Sequence, residues 1–180
     1  MRKNKMKITI LGCIGIFLIA ALVLLPATQA MAKTVNHKIT SYITKLELIR
    51  VPDVEGHVVG VYYRKGIAIF ENEVAAYSTR GTIDIIKSGG KYDGSFQGYS
   101  HKIYKDGSTV MVKYQGNYTW LPGAKLPSFV GTGEYFKGTG RFEGIKGKVN
   151  FNGKYITPYS KETKGDEYIE ATGTYTLPKK

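Results

Sequence analysis

The segment KDGSTVMVKYQGNYTW, residues 105–120, decides the fold class because it joins a tight turn to a strand pattern. Asp106-Gly107 is a strong hairpin signal, and we expect positive φ at both turn positions. The next twelve residues alternate between hydrophobic or glycine positions and mostly polar ones. This is the period of a β-strand with one buried and one solvated face. The segment therefore predicts an antiparallel strand at Thr109–Trp120.

The same pattern recurs on both sides of this segment. Tyr, Thr, Val and Ile residues punctuated by glycine are typical of strands joined by short turns. The predicted strands are Val58–Phe70, Ala75–Ile86, Ser95–Tyr104, Thr109–Trp120, Phe129–Tyr135, Lys148–Thr157 and Tyr168–Leu177. The stretch Ile39–Ile49 adds an eighth element, as a first strand or as a short helix.

The connections favour a closed sheet. Short turns between sequential strands make neighbouring strands antiparallel. Every strand has two faces, and no helix is predicted to cover a sheet edge, so closing the sheet is the economical way to protect its edges. We predict an all-β fold, an eight-stranded antiparallel barrel of the calycin-like kind. An open sandwich is the alternative.

The N-terminus has the three parts of a secretion signal. Four basic residues without an acid precede an apolar run at Ile8–Leu25, and Ala30-Met31-Ala32 follows Pro26. We expect a signal-peptide helix within residues 1–32, cleavage before Lys33, and a periplasmic or secreted protein; an uncleaved anchor is the alternative. Residues 33–56 then lead into a barrel domain at 57–180.

Composition excludes several kinds of site. The one cysteine, Cys13, lies in the signal, so the mature chain has no disulfide and no thiolate zinc site. Four of the 26 basic residues and none of the 14 acidic ones lie in the signal, which leaves a mature net charge of +8. The lysines are scattered among acids, and export argues against nucleic acid as a partner. No membrane span is expected after cleavage.

A glycine-rich segment, FVGTGEYFKGTGRFEGIKG at residues 129–147, is the most distinctive stretch. The spacing of its glycines is not that of a dinucleotide-binding loop. Such glycines are instead typical of bulges and of close approach between backbones in a curved sheet. Gly138–Gly147 with the following strand Val149–Tyr155 resembles the signature of the allene oxide cyclase and dirigent barrel superfamily. Asp106–Thr109 and the strand order from His57 to Leu177 fit the same pattern.

This resemblance implies an eight-stranded barrel, open at one end to an apolar cavity and assembled as a homodimer or homotrimer. Cyclases of the superfamily fold a reactive lipid epoxide into a ring, and dirigent proteins orient phenoxy radicals for coupling. Both act mainly by holding a hydrophobic substrate in one conformation, without a cofactor.

Few residues suggest acid–base chemistry. Glu55 and His57 would share one face of a strand, where the carboxylate tunes the imidazole, but an ordinary turn followed by the start of a strand is the favoured interpretation. Arg80 and Asp84 share a strand face and would form a buried ion pair if that face lined the lumen. The opposite face of that strand is more apolar, so a solvated surface pair is the favoured interpretation. Histidines without ligand spacing make a metal site improbable.

An aromatic set occupies the apolar strand faces and would line a barrel interior: Tyr114, Tyr118, Trp120, Tyr155 and Tyr175. An eight-stranded barrel is wide enough either for its own side chains or for one small ligand. We therefore expect a protein that binds a small hydrophobic molecule in its lumen. The alternatives are a cofactor-free cyclase or isomerase or a dirigent-type protein on the same barrel, and a structural or assembly protein of the cell envelope.

Overall fold

The computed structural model describes residues 31–160 and 162–179. Except for Met31 and Ala32, the predicted signal peptide lies outside these residues. The described chain forms eight strands and one 3-10 turn at Gly140–Phe142. The strands are β1 (Lys33–Arg50), β2 (Val58–Ile69), β3 (Val74–Ser88), β4 (Lys91–Ile103), β5 (Thr109–Trp120), β6 (Ser128–Thr139), β7 (Lys146–Tyr155) and β8 (Glu167–Thr176). In this part of the chain, no helix is long and apolar enough to cross a membrane.

All eight strands form one closed antiparallel ring. Each strand pairs with the next along the chain, and β8 pairs with both β7 and β1. The all-β prediction is confirmed, and the ring excludes the open sandwich. Because every strand has two neighbours, the sheet has no free edge.

The first element is a strand and not a helix. Lys33–Ser41 of β1 pairs with β8, and Lys38–Arg50 pairs with β2. A register shift between Ile43 and Lys45 interrupts the second ladder. Residues 33–50, predicted to lead into the barrel, thus supply the strand that closes it.

The alternation along β5 places side chains as the sequence predicts. Val110, Val112 and Tyr114 are buried, whereas Lys113 and Gln115 are exposed. Alternate residues on the other strands also face inward, and together they form two adjoining core clusters. One cluster is centred on Ile39, Ala68, Tyr77, Phe129 and Ile169, and the other on Tyr104, Val110, Tyr135, Phe142 and Tyr175.

The turn between β4 and β5 is a hairpin, but the expected positive φ at Asp106 was wrong. Of the two turn residues Asp106 and Gly107, only Gly107 has a positive φ, of 79°. Asp106 instead accepts hydrogen bonds from the backbone N–H and the hydroxyl of Ser108, both at 3.0 Å. Gly107 N–H donates to the Tyr104 carbonyl, and Tyr104 N–H donates to the Ser108 carbonyl. These bonds define a three-residue hairpin loop, in which only the last residue is left-handed.

Strands β1 and β2 approach too closely at Gly66 for any side chain. A Cβ placed there would overlap the carbonyl oxygen of Thr40 and lie 2.7 Å from the Cα of Ser41. We therefore expect Gly66→Ala to force the two strands apart and to lower the free energy of unfolding by about 1–3 kcal/mol. Urea unfolding followed by circular dichroism measures it.

The matched control is Lys65→Ala, because Lys65 is the preceding residue of β2 and its side chain is exposed. This change should alter the free energy of unfolding by less than about 0.5 kcal/mol. Equal stability of the two variants would show that the strands do not meet at Gly66 in this way.

Candidate functional site

A cavity of about 340 Å³ lies in the barrel lumen. It reaches the end of the barrel formed by the β5–β6 and β7–β8 loops, through Leu126 and Tyr159. Its wall is mainly apolar, with side chains that include Ile39, Ile43, Ile83, Val112, Val149, Phe96, Phe129 and Phe151. The residues of the eight strands therefore leave the lumen incompletely filled.

Four of the five aromatic residues predicted to bind a ligand line this cavity. They are Tyr114, Tyr118, Trp120 and Tyr155. The fifth, Tyr175, lies toward the opposite end of the barrel, where a more polar depression opens. There it packs edge to face against Tyr135, with ring centroids 5.7 Å apart.

A chain of buried hydroxyl groups crosses the lumen wall. The hydroxyl oxygens of Tyr62 and Tyr114 are 2.8 Å apart, and that of Tyr114 lies 2.6 Å from Thr79 Oγ1. Thr79 in turn donates to the Tyr99 carbonyl at 3.1 Å. Burial raises the pKa of both tyrosines, so these phenols stay protonated. Their hydrogen-bonding capacity is largely used within the wall.

The wall also carries a buried ion pair between neighbouring parts of the ring. Arg64 Nη1 lies 3.1 Å from Glu167 Oε2, and both side chains are buried. Ser41 donates to Glu167 Oε1 at 2.5 Å. Arg64 also donates to the Gly165 carbonyl at 3.0 Å and to the Tyr155 hydroxyl at 2.6 Å.

The Glu167 carboxyl group has an unusual environment for an acid. Burial raises its pKa, and the Arg64 charge and the Ser41 hydrogen bond oppose that rise. A carboxyl group with a raised pKa on the wall of a cavity is the kind of group that donates or accepts protons in enzymes. Glu167 is therefore a candidate acid–base group on the cavity wall.

Two further polar side chains lie where the cavity meets the depression at the opposite end. His37 and Lys102 line both spaces, and both are buried. The His37 ring stacks on Phe70 with centroids 4.7 Å apart, and neither ring nitrogen has a hydrogen-bond partner. Burial, followed by the charge of Lys102, lowers the pKa of His37 to about 3. His37 is therefore neutral at physiological pH.

The residues predicted as acid–base candidates lie outside the lumen. Glu55 is exposed in the β1–β2 turn, and Arg80 is exposed on the outer face of β3. His57 does not pair with Glu55. Its Nδ1 is 2.7 Å from Asp53 Oδ1, and its Nε2 is 2.8 Å from Asp84 Oδ1. These bonds to Asp53 and Asp84 raise the pKa of His57 and tie the turn to β3.

Sequence reasoning missed the charged lumen residues, although their positions carried a signal. Arg64 has the same parity as Tyr62 and Ala68 on β2, and both of these are buried. Glu167 lies two residues before Ile169, which begins the inward-facing series Ile169, Ala171 and Gly173 on β8. A rule that followed parity regardless of residue type would have placed both inside.

Residues 31–160 and 162–179 contain no group of three or more His, Cys, Asp or Glu side chains placed to hold a metal ion.

No protein-family model matches the chain, and no curated protein sequence matches it. Solved structures do. One pterocarpan synthase dirigent protein aligns with a TM-score of 0.43 and 14% identity, over 98% of this chain and 100% of that protein. A second pterocarpan synthase dirigent protein aligns with a TM-score of 0.44 and 13% identity, over 84% and 99% of the two chains.

A conserved protein of unknown function from Rhodopseudomonas palustris aligns with a TM-score of 0.48 and 11% identity, over 81% of this chain and 98% of that one. Dirigent proteins, which the segment Gly138–Gly147 resembles, are thus among the solved structures that this chain is similar to.

The lowered pKa of His37 predicts a pH-dependent stability. The unfolded chain binds a proton at His37 below its ordinary pKa of 6.5, whereas the folded chain does so only near pH 3. Stability contributed by the neutral ring is therefore present above pH 6.5 and is lost as the pH falls towards 3. The free energy of unfolding of the unaltered protein should fall between pH 7 and pH 4. In His37→Leu we expect this fall to be smaller by about 3 kcal/mol.

Urea unfolding at pH 7 and pH 4 measures this difference. His101→Leu is the matched control, since His101 lies on the outer face of β4 beside Lys102. An unchanged pH dependence in His37→Leu would contradict a buried, neutral His37.

Proposed function

We propose that this chain is an exported β-barrel protein that binds a small hydrophobic molecule in its lumen. The apolar cavity of about 340 Å³ is the observation that carries the proposal. Ligand pockets have volumes of roughly 300–1,000 Å³ and apolar walls with a few polar groups. The N-terminal pattern of charge, apolar run and small residues supports export to the periplasm or the outside.

The size of the cavity supports a ligand site over a packing defect. An unfilled apolar lining lacks van der Waals contacts. Because this cavity opens at the loop end of the barrel, its apolar lining also meets water when no ligand is bound. A bound apolar molecule would restore these contacts.

A variant that narrows the lumen tests the proposal. Ile83 of β3 lines the cavity, so Ile83→Trp should fill part of it and exclude a ligand. Ile86 lies on the outer face of the same strand and is 41% exposed, which makes Ile86→Trp a matched control. We expect Ile83→Trp to weaken binding of the probe N-phenyl-1-naphthylamine by about tenfold or more, equivalent to about 1.4 kcal/mol.

Probe fluorescence measures the dissociation constant, and thermal melting shows that each variant folds. Ile86→Trp should bind the probe as the unaltered protein does. Equal binding by both variants would place the probe outside the lumen. No binding by the unaltered protein would contradict the ligand-binding function.

A cofactor-free cyclase or isomerase is the second candidate, because one observation favours it. The buried Glu167 carboxyl has a raised pKa and lines the cavity. Arg64 lies between this carboxyl and the Tyr155 hydroxyl and bonds to both. A lumen that only binds apolar molecules does not require such a group, and proton transfer by a positioned carboxyl contributes to many isomerisations. The unfilled lumen argues against the third alternative, a purely structural barrel.

An isomerase converts a compound into one of the same mass. Incubating the protein with an apolar extract of its host's envelope should therefore deplete one chromatographic peak and create another of identical mass. The conversion should be retained in Ile86→Trp and lost in Ile83→Trp. Probe binding without any such conversion would leave the lumen as a binding site only.

A further inference from the structure

Lys102 on β4 is the most unusual ionisable group in the lumen. The residue is only 3% exposed, and it lies between the apolar cavity and the depression at the other end of the barrel. Its neighbours across the β3 and β5 ladders are Tyr77 and Val110, both buried. The amine is therefore at the floor of the cavity.

No partner neutralises this amine. Among the described residues, none forms a salt bridge or a hydrogen bond with Lys102, whereas the buried Arg64 has an acid and two further acceptors. Unpaired buried charges are strongly unfavourable, so buried lysines usually lie against a carboxylate. Lys102 therefore lies among buried side chains without an acid beside it, an environment that disfavours its charged form.

The environment favours the neutral form of the amine. Burial lowers the pKa of Lys102 to about 8 from its ordinary 10.5. At pH 7 the neutral fraction is then roughly one-tenth, about 300-fold more than for an ordinary lysine. The neutral amine is the nucleophilic form, and desolvation in a hydrophobic pocket is one of the ways in which proteins activate lysine.

The neighbouring side chains suit a carbonyl group. His37 is neutral, lines the same cavity and has two ring nitrogens without partners. Ser100, one inward position before Lys102 on β4, also lines the cavity and supplies a hydroxyl. The Ser100 hydroxyl can hydrogen-bond a carbonyl oxygen and relay a proton, and the walls above it accept an apolar substituent. The ring nitrogens of His37 are themselves buried.

We propose that Lys102 is a covalent capture site for apolar aldehydes or ketones, which it binds as an imine at the floor of the lumen. The inference rests on the proposed lumen binding and adds the chemical class of the ligand. An aldehyde carried in this way would be shielded from water and from the many surface amines of other proteins.

The step needs no oxidant or reductant. The Lys102 Nζ lone pair attacks the carbonyl carbon and forms a C–N bond, while the C=O π pair moves to the oxygen. A proton passes from nitrogen to that oxygen to give a carbinolamine. Loss of a second proton from nitrogen and of the hydroxyl, together one water molecule, forms the C=N bond. Addition of water reverses the reaction and releases the carbonyl compound.

Reductive trapping tests the proposal. The protein purified from its host is incubated at pH 7 with 2-naphthaldehyde and sodium cyanoborohydride, which reduces an imine to a stable amine. Peptide mass spectrometry then locates the adduct. We expect at least about tenfold more adduct on Lys102 than on any other lysine, in line with its larger neutral fraction. Excess N-phenyl-1-naphthylamine should suppress the Lys102 adduct alone.

Two lysine variants separate the lumen from the surface. Lys102→Met should fold, because it replaces an unpaired buried cation with an apolar side chain of similar length, and it should lose the dominant adduct. Lys113→Met, on the exposed face of β5, should retain it. Thermal melting checks both folds. Trapping at Lys102 should also be prevented by Ile83→Trp and not by Ile86→Trp.

The possible failures are distinguishable. Labelling spread evenly over the lysines, with normal probe binding, overturns the imine site and leaves the binding function intact. If neither probe nor aldehyde enters the lumen, both proposals fail. If 2-naphthoate displaces the probe only when Lys102 is present, and the aldehyde gives no adduct there, the amine is a carboxylate-binding cation and the covalent proposal is wrong.

Discussion

The pairing of β8 with β1 is the constraint on which the rest of the structure depends. It joins the last strand to the first over nine residue pairs, from Lys33 with Tyr175 to Ser41 with Glu167. Without it the sheet would have two open edges, and the inward faces of its strands would meet water. Closure also creates the site, because Arg64 on β2 and Glu167 on β8 lie on either side of β1, which contributes Ser41 to the same cluster. The charged pair and the lumen thus form together.

Inside a closed lumen, a buried charge is either compensated by an opposite charge or explained by a function. Arg64 is compensated by Glu167, and its remaining bonds reach the Gly165 carbonyl and the Tyr155 hydroxyl. Gly165 belongs to the β7–β8 loop, so Arg64 also holds that loop against the barrel, as does the bond from Ile43 N–H to the Lys164 carbonyl. Losing one member of such a pair leaves a buried charge and is strongly destabilising. The main task of Arg64 is therefore to hold the structure together.

The alternation of residues along the strands predicted much of the fold. The prediction failed where we let the type of a residue, and not its position in the alternation, decide which way it faces. Alternation located Thr109–Trp120 at its observed bounds and assigned Tyr114 and Tyr155 to the inside. The same alternation places Tyr175 inside, but parity gives the face of a strand and not the height along the barrel, which depends on strand tilt and register. Lys102 and Glu167 were missed because charged residues are expected outside, and only the closed ring shows that their inward positions are sealed. The turn at Asp106 differed because its side chain satisfied the backbone locally.

The lumen has a direction that follows from these contacts. At the loop end its lining is aromatic and apolar, including Trp120, whose indole N–H is already bonded to the Ala124 carbonyl at 2.8 Å. Along the wall, the hydroxyls of Tyr62 and Tyr114 bond to one another and Arg64 is occupied. A lysine amine has three donors, and among the described residues those of Lys102 meet no acceptor. The Lys102 amine therefore offers free donors at the floor of the cavity, and a ligand with one polar end is expected to enter with that end first and to leave its apolar part against the aromatic rim.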